Sequence, residues 1–462
     1  MRKTKIKKLS FVLTIVFCLV MCATSSAEWK DHEIQQLNGK AKRIKLPAKL
    51  QILTESWTGR WIDEWNQVAA VPYIVYIPEK DRVLMLVGVG NPHQAVLLSS
   101  DDHGKTWSEP WYVHTDENGK SDTGLGVEFT YVGDGKLFLR SSQYLLSEED
   151  ENWRYMLWYS KDYGKTWEKS SALPPHVWSW DPGLVDTDPK TGKVTRIWKT
   201  CLTGGDIFTG TEPNAIPRPW SFGYLYWSDD EGRTWTDPVK IPQWEGLNEI
   251  GLIRANSGDI IAACRTDIID KFAHNYNDNY AGLKISISKD NAKTWSAPKT
   301  LYNWGRHHPS LVGLANGDIV MTHAARKGYV DTPEGYPQFG VEALISRDNG
   351  QKWDLDHRFI LAAWPGNRTD EGWKWARGSQ QTSSVLLPDG LILTAFGTGF
   401  RANVPRLKED EQKFNPRDVG LVKWRVNNKG LNKDTTIADA PPESDLRNVF
   451  DPKWNMFKQT AK

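Results

Sequence analysis

Three carboxylates share one setting in this chain. Glu128 in "GVEFT" (126–130), Asp181 in "WDPGL" (180–184) and Glu249 in "LNEIG" (247–251) each stand where a polar stretch enters an apolar, strand-forming run. "RHHPS" (306–310) puts the pair His307-His308 in the same setting. A second apolar run follows each first one and ends on cations or imidazoles: Arg140, Lys199, Arg265, His323 with Arg326, and Arg401. Glycoside hydrolysis needs an acid that protonates the leaving oxygen and a second group acting as base or nucleophile, usually two carboxylates. Asp181 and Glu249 are the expected pair, with Glu128 as the third candidate. Burial and a like-charged neighbour would raise the pKa of whichever one is the acid. Arg265, Arg140 and Arg326 suit an acidic sugar, while His307, His308 and Trp180 suit hydroxyls and a ring face.

Other chemistries use the same residues. Neighbours on a strand point to opposite faces, so only one of His307 and His308 is expected to look into a site. No metal and no cofactor is therefore expected. His308 could serve as the base of a polysaccharide lyase, removing a proton beside a uronate carboxylate held by Arg265 or Arg140, with Tyr329 nearby. It could equally hydrogen-bond sugar hydroxyls. The chain carries no Ser-His-Asp spacing, phosphate loop or CxxC pair, and "GDGK" (133–136) and "ANGD" (315–318) are hairpin turns.

The elements that must position these residues are written in a repeat. "SSDDHGKTWSEP" (99–110) recurs as "YSKDYGKTWEKS" (159–170), "WSDDEGRTWTDP" (227–238), "ISKDNAKTWSAP" (287–298) and "ISRDNGQKWDLD" (345–356). The shared pattern is S-x-D-x-G-x-T-W, with Ala292 at the Gly position of the fourth copy and Lys352 at the Thr position of the fifth. Asp supplies self-capping hydrogen bonds and Gly a positive φ, so each copy is a hairpin turn with its Trp tucked beneath. The Ser positions lie 60, 68, 60 and 58 residues apart, a repeat of one supersecondary unit. Each unit has a second hairpin upstream, from "YIVYIPEKDRVLMLVG" to "SSVLLPDGLILTAFG", giving six in all. The sixth is completed by "DVGLVKWRV" (418–426), and residues near "KLQILTE" (49–55) are expected to close the ring. The expected fold is all-β: a six-bladed propeller of four-stranded antiparallel blades over residues 49–430.

The boxes, their spacing and the blade count resemble the sialidase (neuraminidase) superfamily, whose repeats are called Asp boxes. The resemblance implies that the boxes lie on the face away from the active site. The repeat is then architecture, and the chemistry lies at the other end of the channel. Sialidases use three Arg on the substrate carboxylate, a Tyr nucleophile with a helper Glu, and an Asp acid. "NEIGLIRANSGDIIAACR" (248–265) matches the stretch that carries the helper Glu, at Glu249, and one Arg, at Arg265. Elsewhere the chain departs from the pattern. Ala70 stands at the first Arg position, Gln381 and Thr382 at the Tyr, and Asn91 and His93 where the acid is sought; Arg326 is the substitute for the third Arg. Turnover of simple sialosides is accordingly not expected. Exo-arabinanases, also six-bladed propeller enzymes, are similar in drawing a carboxylate pair from inner strands.

The chain has 462 residues and opens on "MRKTKIKKLSFVLTIVFCLVMCATSSA", a basic start, an apolar run and small residues near Ala27. That is a secretory signal over residues 1–27, so a secreted or periplasmic protein is expected. Met21 is bulkier than a lipoprotein site before Cys22 accepts. No later run is long enough to span a bilayer. Residues 28–48 read as an N-terminal extension and 431–462 as a tail. Net charge is +1, which favours no nucleic acid. Export leaves Cys201 and Cys264, which either pair in an oxidising compartment or stay as separate buried thiols. Twenty-four Trp, many of them in loops, suit stacking on sugars. The expected protein is a monomeric, exported enzyme that removes a terminal, acidic sugar from a glycan. The alternatives are a polysaccharide lyase and a non-catalytic glycan-binding propeller.

Overall fold

A computed structural model describes residues 42–45, 50–53, 69–90, 93–142, 155–173, 177–203, 221–267, 281–302, 305–326, 338–355, 357–365, 380–398 and 418–426. The signal segment, the C-terminal tail, Asn91, Tyr329 and Arg401 lie outside the described residues. Six antiparallel sheets follow one another along the chain as the blades of a six-bladed β-propeller.

Blade 1 runs Ala69–Ile77, Arg82–Val89, Gln94–Ser100 and Trp111–Tyr112 from the channel outward. Blade 2 is Gly126–Gly133, Lys136–Ser142, Tyr155–Ser160 and Glu168–Ala172. Blade 3 has a divided inner strand, Val177–Trp178 and Leu184–Thr187, followed by Val194–Thr203, Phe222–Ser228 and Val239–Glu245. Blade 4 is Leu247–Arg254, Ile260–Thr266, Leu283–Ser288 and Lys299–Tyr302. Blade 5 is Arg306–Gly313, Ile319–Ala325, Gln338–Ser346 and His357–Pro365. Blade 6 is Gln380–Leu386, Ile392–Gly397 and Val419–Trp424, with Leu50–Ile52 as its outer strand. The N-terminal strand therefore closes the ring as expected, pairing Leu50 with Val422 and Ile52 with Gly420. One element was not expected: Lys42–Lys45 adds a fifth, parallel strand to blade 5.

The blades hold together because the middle strands are apolar on both faces. Runs such as "RVLMLVGV" and "IIAACRT" are almost wholly buried between neighbouring blades. Each seam has its own core, as where Val83, Met85, Val96 and Leu98 of blade 1 meet Leu393, Ala395 and Leu421 of blade 6.

Each Asp box joins the third strand of its blade to the fourth. In the first, Ser100 Oγ donates to Asp102 Oδ1 (2.8 Å), the Gly104 N–H donates to Ser100 Oγ (2.7 Å), and Thr106 Oγ1 donates to Asp102 Oδ2 (2.6 Å). The residue pair at the turn is left-handed, His103 at φ 58° and Gly104 at φ 85°, which is why the pattern asks for Gly there. The box Trp lies beneath the turn, with Trp167 Nε1 donating to the Gly164 carbonyl at 3.1 Å. Strand direction alternates within a blade. The boxes therefore sit at the opposite end of the channel from the starts of the inner strands. Cys201 and Cys264 are separate buried thiols.

Candidate active site

The starts of five of the six inner strands share one backbone device. A register shift interrupts the pairing of the first and second strands at Ala70/Tyr73, Gly126/Glu128, Asn248/Ile250, His307/Ser310 and Gln380/Thr382. In four of these bulges a non-glycine residue takes a positive φ: Val71 (54°), Glu249 (43°), His308 (52°) and Gln381 (35°). Such conformations are costly for side chains with a Cβ, and bulges re-aim side chains next to functional sites. Here they turn Glu249 and His308 toward each other across the seam of blades 4 and 5.

Glu249 Oε2 lies 2.5 Å from His308 Nδ1, and Glu249 Oε1 accepts from Arg265 Nη1 at 2.7 Å. The other imidazole nitrogen, Nε2, lies 3.3 Å from Arg326 Nη2 and 3.5 Å from Arg265 Nη1. Guanidinium groups only donate, so Nε2 accepts and the ring proton sits on Nδ1, toward Glu249. Thr382 Oγ1 fixes the backbone of the same residue by donating to the His308 carbonyl at 2.7 Å. All four side chains of the cluster are buried. Burial alone would raise the Glu249 carboxyl, but Arg265 and His308 outweigh it and hold it at about 2. Burial lowers the pKa of His308 despite the attraction of Glu249, which favours the neutral ring, with its Nε2 lone pair directed at the two guanidinium groups.

The expected alternation of His307 and His308 is a correction. With His308 in the left-handed region the two rings lie on the same side, their centroids 4.4 Å apart. The period of two that separates strand neighbours fails at a bulge. His307 is driven well below the usual imidazole pKa by burial first and then by His308 and Arg265. Among the described residues no group of three or more His, Cys, Asp or Glu is placed to hold a metal ion.

Asp181 occupies a place that the sequence did not define. It lies in the gap of the divided inner strand of blade 3 rather than at the start of one continuous strand. Its Oδ1 faces Gly251 of blade 4, where a Cβ would stand 3.9 Å away. The side chain is buried, and Oδ2 has no hydrogen-bond partner among the described residues. Burial, and then the Glu249 charge, push its carboxyl well above the usual range, against the pull of Arg265. Asp181 and Glu249 thus share one electrostatic environment with their proton affinities driven in opposite directions.

The remaining sequence candidates divide. Glu128 is fully buried in an ion cluster with Lys199 and with Arg140 Nε at 3.3 Å, and it accepts from Ser179 Oγ at 3.1 Å. Arg140 also donates to Tyr226 Oη at 2.8 Å. These contacts lock blade 2 to blade 3 and leave the Glu128 carboxylate occupied. Trp180 is half-buried, edge-on to Tyr155 with centroids 6.0 Å apart, beside Asp181. Sequence reasoning missed Tyr73, which is fully buried on the inner strand of blade 1. Its phenol pKa is raised by burial first, then by Asp181 and Glu249.

The comparisons agree with this architecture. The BNR/Asp-box repeat profile matches residues 158–169. A sialidase of Clostridium perfringens is 25% identical over 209 residues, which is 42% of this chain and 51% of that protein. The chain therefore spans about half the length of the curated relative it matches. Among solved structures, a Dyadobacter fermentans protein of unknown function superposes with a TM-score of 0.54 at 18% identity, over 78% of this chain and 95% of that one. The GH93 α-L-arabinofuranosidase of Fusarium graminearum, in complex with arabinobiose, gives a TM-score of 0.50 at 12% identity, over 84% and 98%. At these identities the structural likeness is one of fold. The protein is a six-bladed β-propeller. It is similar to sialidase-like proteins that carry BNR/Asp-box repeats.

Proposed function

We propose that this protein is an exported glycoside hydrolase that releases a terminal, acidic sugar from a glycan at the mouth of the propeller channel. The observation that carries the reading is the opposed pair Asp181 and Glu249 on neighbouring blades, the proton affinity of one carboxyl raised by burial and that of the other lowered by Arg265 and His308. Separated proton affinities of this kind assign acid and base. Asp181 gives its proton to the glycosidic oxygen as the C–O bond breaks. The oxygen of the attacking water bonds to the sugar carbon and its proton passes to the ionised Glu249 carboxylate, which His308 and Arg265 hold in place. Arg265 and Arg326 point their guanidinium groups at His308 Nε2 and are placed to bind an anionic substituent of the sugar. The signal segment supports export. Ala70 and Thr382 stand where sialidases place carboxylate-binding and attacking groups, so the sugar is not expected to be a simple sialoside.

One observation favours a second reading. A neutral His308 oriented by Glu249 beside two Arg is also what β-elimination needs: a base for the C5 proton and cations for the uronate carboxylate. A panel of sialosides, uronides, arabinofuranosides and uronate polysaccharides separates the readings by product. Release of a saturated sugar, lost in Asp181→Asn, supports the hydrolase. A 4,5-unsaturated uronate, with Asp181→Asn still active, replaces it with the lyase. No turnover anywhere on the panel rejects both.

A further inference from the structure

Tyr73 reaches past its neighbouring blade. It belongs to the inner strand of blade 1, yet its hydroxyl donates to the Trp180 carbonyl of blade 3 at 2.6 Å. Blade 2 stands between the two, so this bond crosses the channel side of the propeller. The carbonyl it holds belongs to the peptide unit joining Trp180 to Asp181. That peptide lies where blade 3 stops pairing with its own second strand, between Trp178 and Leu184. Both ends of the gap are clamped separately. Ser179 Oγ bridges Glu128 and the Thr200 carbonyl (3.1 and 3.0 Å), and the Gly183 N–H donates to Thr130 Oγ1 at 2.8 Å. The middle, which carries the Asp181 carboxyl, has Tyr73.

The bulge explains how Tyr73 gets there. The register shift at Ala70/Tyr73, with Val71 at φ 54°, sets which face of the strand Tyr73 takes. Its ring then packs with Val71, Val75 and Phe129 in the cluster between blades 1 and 2. We propose that Tyr73 is a positioning residue for Asp181: its hydroxyl fixes the peptide plane that aims the acid, and its ring helps to keep water from it. The inference rests on the reading of Asp181 as the acid. A backbone anchor of this type matters because a displacement of about 1 Å at a reacting group can cost up to about 100-fold in rate.

Tyr73→Phe keeps the ring and removes the donor. The first readout needs no substrate. Infrared difference spectra between the wild type and Asp181→Asn isolate the protonated carboxyl band of Asp181, and the Tyr73→Phe protein is expected to show that band shifted with a displaced titration midpoint. The second readout uses whichever methyl uronide, sialoside or arabinofuranoside the wild type cleaves fastest, because an alkoxide leaving group needs the proton of the acid. Here kcat is expected to fall about tenfold with KM within about twofold, and Tyr73→Phe should cost nothing further in the Asp181→Asn background. If Asp181→Asn is fully active, the acid assignment falls. If Asp181→Asn is inactive while Tyr73→Phe keeps the wild-type band, midpoint and kcat, the positioning role falls and the acid assignment stands. A lowered melting temperature with band and midpoint unchanged likewise overturns it.

Discussion

Glu249 Oε2 and His308 Nδ1 stand 2.5 Å apart across a blade seam, and both residues hold left-handed backbone to do so. Two strained positions that meet at one contact place the chemistry there more firmly than the residue types alone. The strain has a cost, and at these two positions it is borne where the contact is made.

The two carboxylates should respond oppositely to neutralisation. Asp181 has a folded pKa raised above its ordinary 3.8. Its contribution to stability is therefore complete below that value and is lost as pH rises through the folded pKa. Asp181→Asn does not titrate, so it should melt above the wild type at neutral pH, with the gap closing below about pH 3.8. Glu249 is depressed from 4.5 to about 2, so its contribution is present above 4.5 and is lost between those values. Glu249→Gln strips the buried Arg265 of its anion and should cost about 2–4 kcal/mol at neutral pH. Thermal melts of both variants from pH 3 to 8 check this. Equal destabilisation by the two would mean that Asp181 is a structural carboxylate.

The pH dependence of turnover separates acid from base. With Asp181 as the acid, kcat/KM should fall on the alkaline side, at a midpoint well above 3.8, as Asp181 loses its proton. It should persist in mild acid, because Glu249 stays ionised down to about 2 and the His308 pKa is lowered by burial. A profile that rises as an imidazole deprotonates and then stays flat to alkaline pH would assign the chemistry to His308 as the base of a lyase.

Most of the fold was legible because each box is a self-contained turn. Ser100, Asp102, Gly104 and Thr106 bond to one another within a few residues, so their spacing survives whatever packs around them. Even the closing strand could be placed, since blade 6 had hairpin partners and no box of its own. The site was legible in composition and not in geometry. Nothing local in "RHHPS" or "LNEIG" tells which residue takes the extra place in a bulge, and each bulge inverts the faces downstream of it. His307 and His308 were therefore put on opposite sides when their rings lie together. Tyr73 was invisible for the same reason, and its partner Trp180 is 107 residues away. Glu128 had the right setting, but its ion cluster depends on Lys199 and Arg140 from other strands.

The boxes should carry stability and not turnover. Asp102 accepts from Ser100 Oγ, the Lys105 and Thr106 N–H groups and Thr106 Oγ1. Asp102→Ala should therefore lower stability by about 1–2 kcal/mol, with kcat and KM unchanged. Asp230→Ala in the third box should behave alike. Urea titration beside steady-state kinetics checks both. Lost turnover at an unchanged urea midpoint would put the chemistry on the box face.

The fourth box offers a repair. Ala292 sits at φ 67°, where the first, second, third and fifth boxes have Gly at φ 80–85°, and its N–H still donates to Ser288 Oγ at 2.8 Å. The turn is thus formed, with a Cβ held in the left-handed region at a cost of roughly 1 kcal/mol. Ala292→Gly removes that cost. It gives back part of the gain through a freer unfolded chain and a lost methyl contact with the cluster around Trp295. A net gain of about 0.5 kcal/mol is expected, read as a higher urea midpoint at constant m-value. The reverse exchange in the third box should be severe. A Cβ on Gly232, at φ 85°, would overlap the Phe138 ring, so Gly232→Ala should lose at least about 2 kcal/mol. If Ala292→Gly destabilises the protein as Gly232→Ala does, packing under the turn and not backbone conformation decides what each box accepts.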